Sequence, residues 1–179
     1  MEYSFVVIDI ECFHNNTIKE IGISSPFFNM GYSFKPPQCF KSLPFNEQKQ
    51  NNWLTRHCHG ITWESGIYPY AMIPALLGFF NNAECKVFVK GKQKINVLKL
   101  YMPLCTFTDL EDMFCPPYSE LCAFTELHHV PCTSFPSTHN SAMYESHCAQ
   151  HKASIYSSWL LVNRYHNSNG SGTMLNSLL

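Results

Sequence analysis

The chain is poor in charge. Lys, Arg, Asp and Glu make up 14% of its 179 residues, and the formal net charge is −1. No global field therefore draws it to nucleic acid or to a membrane surface, and any such attraction must come from a local patch. Wholesale disorder is excluded too, since aromatics stand at 15% and hydrophobic residues at 45%. Long apolar runs are also lacking. The longest candidate, 71–80, contains Pro74 and falls short of the ~18 residues of a membrane helix. No basic stretch precedes the first apolar run, which Asp9 and Glu11 interrupt, so a secretory leader is not expected. No internal repeat is visible. These absences predict an intracellular protein, cytoplasmic or nuclear, with no membrane partner.

What the chain has in plenty is cysteine and histidine, nine of each. An odd cysteine count without a leader points to a reducing compartment, where thiols are buried or bind metal rather than pair as disulfides. The β-branched and aromatic segment 3–10 reads as a strand, 17–24 as its hairpin partner and 30–35 as a third strand stopped by Pro36-Pro37. Residues 39–52 read as polar and irregular, 52–60 as a short helix ended by Gly60, and 69–81 as a helix interrupted by Pro74. A strand at 85–89, a helix at 95–100, a strand at 105–107, short helical pieces at 110–114 and 119–127, and a long helix at 142–162 complete the order. The order predicts an α/β fold with a mixed sheet of about five strands. One domain is expected over 1–162, and the polar tail 163–179 is expected to be disordered. Trp53, Trp63 and Trp159 read as packing residues.

Four segments stand in an informative order: VVIDIE with Asp9-x-Glu11, KEIGI, a helix feeding the strand CKVFVKGK, and HCAQHKAS opening the last helix. This order resembles the DEDD-type 3′–5′ exonucleases, DnaQ-like domains of the ribonuclease H-like fold, in their histidine-containing subclass. The resemblance implies two divalent metals, Mg or Mn, held by four carboxylates, with a histidine activating water. Asp9 and Glu11 match the first two carboxylates, and alternation places both on one face of the strand. His147 matches the histidine. The departures are informative. Lys152 stands where the last Asp is expected, and no carboxylate follows the strand 87–89, where Asn96 is the nearest polar match. A lysine there repels a divalent ion or replaces its charge.

The same segments resemble the Maelstrom domain, a branch of this fold that lacks the catalytic set and carries a Glu-Cys-His-Cys zinc site. That resemblance implies a structural zinc held by Glu20, Cys132, His139 and Cys148, with Cys122, His128 and His129 as alternatives to the middle pair. The DxE strand, the VKG segment and the terminal C…H…CA…K pattern are similar also to transposon-linked proteins of insect genomes. Thiolate and imidazole donors favour zinc over harder ions.

Lys86, Lys90, Lys92, Lys94 and Lys99 are five of the twelve basic residues, and they fall within fourteen positions with no acidic residue between them. Lysines neutralise phosphates without reading bases, so Lys90, Lys92 and Lys94 are the candidate contacts to single-stranded RNA or DNA. The expected function is a catalytically degenerate, zinc-stabilised nucleic-acid-binding domain. The alternatives are an active nuclease using Asp9, Glu11 and His147, and a protein-interaction domain that binds no nucleic acid.

Overall fold

The computed structural model describes residues 5–124 and 148–168. Their sheet has five strands: β1 (Phe5–Cys12), β2 (Ile18–Ser25), β3 (Phe28–Ser33), β4 (Lys86–Val89) and β5 (Thr106–Asp109). The order is β3-β2-β1-β4-β5. The hairpin pairings β1–β2 and β2–β3 are antiparallel, whereas β1–β4 and β4–β5 are parallel. Helices α1 (Phe45–Leu54), α2 (Ile73–Gly78), α3 (Lys92–Lys99), α4 (Tyr118–Phe124) and α5 (Ala149–Ser168) flank it. The α/β class and the mixed sheet expected from the sequence are observed.

Period-2 alternation divides β1 between two cores. Val6, Ile8 and Ile10 pack with Ile73 and Leu77 of α2 and Ile95 and Leu98 of α3. Phe5 and Val7 pack on the other face with Leu121 of α4 and Ile155 and Leu160 of α5. Helix α5 lies very close to the sheet because its inner stripe is small: Ala149, Ala153 and Ser157 are buried at i, i+4 and i+8. Two glycines receive it. A Cβ on Gly22 would stand 2.1 Å from the Ala149 carbonyl oxygen, and one on Gly31 would meet the Gln150 side chain.

Four expectations change. Segment 39–52 is not irregular: α1 occupies 45–54 and continues into a π-helical turn, Thr55–His59, that Gly60 ends in a left-handed conformation. Helix α1 has no apolar stripe; its one buried residue is Asn51, whose Oδ1 accepts the His14 N–H at 2.9 Å. Periodicity had nothing to detect there. Residues 110–114 form a turn, not a helix, with Phe114 at positive φ. Helix α5 runs to Ser168, six residues beyond the expected end. Trp63 is buried and Trp159 half-buried, but Trp53 is 56% exposed and so is not a packing residue. No helix of the described residues is long and apolar enough to cross a membrane.

Candidate functional site

Alternation carries Asp9 and Glu11 to the α5 face of the sheet, near the carboxyl end of β1. Their cross-strand neighbours are Gly22 and Glu20. The row continues to β3, where Gly31 and Ser33 stand opposite these two. One face therefore carries Glu11, Glu20 and Ser33 side by side, with the start of α5 lying over them.

Both β1 carboxylates hold lysines. The Lys94 ammonium donates to Asp9 Oδ1 at 2.6 Å and lies 3.8 Å from Glu11 Oε1. The Lys152 ammonium donates to the same Glu11 oxygen at 2.5 Å. Asp9 is 1% exposed, and its Oδ2 has no hydrogen-bond partner among the described residues. Asp9 and Glu11 are matched by two ammonium groups, with the buried Glu20 beside Glu11 on the same face. Burial would raise the Glu11 carboxyl, but Lys94 and Lys152 outweigh it and hold the group below its usual range. Asp9, more deeply buried, stays raised despite the same two lysines. Burial disfavours the Lys94 cation, yet Asp9 and Glu11 hold its pKa above the usual value. Burial and then Glu11 push the Cys12 thiol up to about 12, which makes it inert.

The turn before α3 explains why Lys94 arrives here. Gly91 adopts φ +104°, and its N–H is held at 3.0 Å by Oδ1 of the buried Asp109 at the end of β5. The same oxygen accepts the Glu111 N–H at 2.9 Å. With the turn pinned, the first turn of α3 aims Lys94 across the ends of β1 and β4. Asn96, the nearest polar match to the missing carboxylate, is exposed instead. From α5, Lys152 reaches Glu11 one turn after Cys148, over the ring of Tyr118. The Tyr118 hydroxyl is hydrogen-bonded to His151 Nδ1.

No family model, curated protein or solved structure matches the chain. The reading of the site therefore rests on its own geometry.

The lysine run does not form one patch. Lys86 is level with Phe5 at the far end of the sheet. Lys90 donates to the Cys115 carbonyl at 2.5 Å and lies over the Tyr156 ring. Lys92 is exposed and only 3.7 Å from the equally exposed Asp112. Lys94 is withdrawn into the carboxylate cluster. Of the expected zinc ligands, Glu20 and Cys148 are brought to one buried place: each is 2% exposed, and Glu20 Oε2 accepts the N–H of Ala149, the residue after Cys148, at 3.4 Å. Cys132, His139, His128, His129 and the expected catalytic His147 lie outside the described residues. Cys122 is on α4, half-buried. Among the described residues, no three His, Cys, Asp or Glu side chains are grouped to hold a metal.

Two residues of the neighbourhood escaped sequence reasoning. His59, on the π-helical turn, is buried edge-on against Phe13, and its Nδ1 accepts the Ile61 N–H at 3.1 Å. Lys19 is fully buried and donates to the carbonyls of Phe34 at 2.5 Å, Trp63 at 2.8 Å and Ser65. Nothing in a single lysine between an isoleucine and a glutamate announces such a role.

Proposed function

We propose that this is a nuclease-like domain whose metal centre has been replaced by lysines, and that it binds single-stranded RNA or DNA without cutting it. The observation that carries the proposal is the seating of the Lys94 and Lys152 ammonium groups on Asp9 and Glu11. Two divalent ions need many oxygen ligands in addition to a dry, charged cradle. Here two carboxylates are present, both are neutralised internally, and one tethered cation comes from each of the two places where the exonuclease pattern expects a further Asp. The strand order is compatible with a ribonuclease H-like sheet, and the Maelstrom-like reading of a fold kept without its chemistry follows the same logic.

Lys90 and Lys92 supply the phosphate contacts in this reading, Lys90 by exchanging its Cys115 carbonyl acceptor for a phosphate; Lys94 is excluded from that role. The Lys92–Asp112 pair is solvent-exposed, and such pairs contribute about 0–1 kcal/mol, so a phosphate can displace it. Zinc belongs to the same proposal. Glu20 and Cys148 supply a hard and a soft donor in one buried place, and Ser33 Oγ on the neighbouring strand is buried with no partner among the described residues. These fit one half of a Glu-Cys-His-Cys set that Cys132 and His139 would complete. A closed four-ligand site of that kind is structural, tying α5 to the β1–β2 hairpin.

The test is anisotropy of end-labelled single-stranded RNA and DNA in Mn²⁺ buffer, with the strand recovered afterwards. Binding at low salt with intact strands is expected. The double change Lys90→Ala and Lys92→Ala should flatten the salt dependence by a slope of about 1.4, two contacts at roughly 0.7 each. Absence of binding at low salt, or cutting that Asp9→Ala abolishes, would overturn the proposal.

A further inference from the structure

The outer face of α1 carries a stripe that no other element among the described residues covers. Phe45, Lys49 and Trp53 follow at i, i+4 and i+8, and the π-helical turn that extends the helix adds Arg56 and His57. All five are exposed, Phe45 at 69%. They are arranged as alternating rings and cations. The Lys49 ammonium lies 4.4 Å over the Phe45 ring, and the Trp53 and His57 rings are 5.3 Å apart with planes inclined by 34°. The single acidic residue of α1, Glu47, is half-buried, and at i+2 from Phe45 it faces away from the stripe.

The stripe leads to the carboxylate cluster. Asn51, on the inner side of α1, fastens the helix to the segment just after β1 through the His14 N–H. The π-helical turn then turns His59 inward, where its ring meets Phe13, the residue after β1, edge-on with centroids 4.8 Å apart. The same turn leaves Arg56 and His57 exposed on its outer side.

We infer that this stripe is a stacking rail for single-stranded nucleic acid. Bases lie on Trp53 and Phe45, Lys49 and Arg56 hold phosphates, and the strand runs toward the Asp9–Lys94–Glu11–Lys152 cluster. The chemistry selects this occupant. A run of rings and cations without a carboxylate complements a polyanion with aromatic bases. Paired bases hide their faces, so the strand must be single. The inference rests on the binding function proposed above and adds the base-stacking side chains that lysines alone cannot supply.

The experiment measures binding of a single-stranded RNA, a DNA of the same sequence and an abasic strand of equal length, by anisotropy and by quenching of tryptophan fluorescence. Stacking contributes enough per base that Trp53→Ala should weaken binding about five- to hundred-fold. Trp53→Phe keeps a ring and should retain most of the affinity. RNA and DNA should respond alike, since a stacking face does not read the 2′-hydroxyl. The abasic strand should bind native protein weakly and be insensitive to Trp53→Ala. Trp53 is exposed, so the variants should melt as the native chain does. If native protein binds but Trp53→Ala, Phe45→Ala and the abasic strand change nothing, the rail is refuted while the lysine reading stands. If no strand binds native protein at low salt, both fall.

Discussion

Replacing Lys94 by Met removes the ammonium 2.6 Å from Asp9 Oδ1 while keeping most of the stem. Asp9 is then a carboxylate at 1% exposure, with Oδ2 already lacking a partner among the described residues. Breaking a buried ion pair from one side costs about 3–5 kcal/mol. At about 2–4 °C per kcal/mol for a chain of this size, Lys94→Met should melt roughly 6–20 °C below the native protein. The pH dependence identifies the cause. Burial already raises the Asp9 carboxyl, and losing Lys94 raises it further. A folded-state pKa above the unfolded one adds stability at low pH that is lost as pH rises through the folded value. The deficit of the variant should therefore be smallest near pH 4 and largest at neutral pH. Adding Asp9→Asn, which removes the orphaned charge, should recover much of the loss. Calorimetric or urea melts across pH 4–8 measure all three. A deficit below about 0.5 kcal/mol at pH 7, or one independent of pH, would refute the reasoning.

Gly22→Ala should cost about 3 kcal/mol or more, because the new Cβ meets backbone of α5, whereas Gly31→Ala should cost less, about 2 kcal/mol, because the Gln150 amide can turn aside but its Cβ, 2.9 Å away, moves only with α5; urea melts of the two variants decide. Burial lowers Lys19 from 10.5 to about 8 despite its three carbonyl acceptors. Between those values the unfolded chain holds the extra proton, so stability should rise with pH from about 8 to 10.5, and Lys19→Met should abolish that rise in melts across the window. Purified protein should contain one zinc per chain, and chelation should lower the melting temperature; Cys148→Ser should lose the metal, and a chelator-insensitive, zinc-free protein would remove zinc from the proposal.

Where local chemistry and period determine the outcome, the sequence was readable. The strand alternation of 5–12 placed Asp9 and Glu11 on one face, and Lys152 stands in the last helix, from which it reaches Glu11. Lys94 was not readable in its true role. Its direction depends on the Gly91 turn, which is held by Asp109 from a strand 18 residues further on. A run of lysines looked like one patch, but the parallel pairing puts Lys86 at the opposite end of the sheet from Lys94. Helix α1 was missed because its inner face is held by a buried asparagine and not by apolar residues. Trp53, which reads as a packing residue, lies on the exposed side of the same helix.

The most direct test of the central claim is calorimetric titration of Mn²⁺ into the native protein and into the double variant Lys94→Ala, Lys152→Ala. No Asp9-dependent binding to the native chain is expected, because Asp9 and Glu11 are already held by Lys94 and Lys152. Binding should appear in the double variant and disappear again on adding Asp9→Asn. Mn²⁺ binding to the native protein that Asp9→Asn abolishes would contradict the claim.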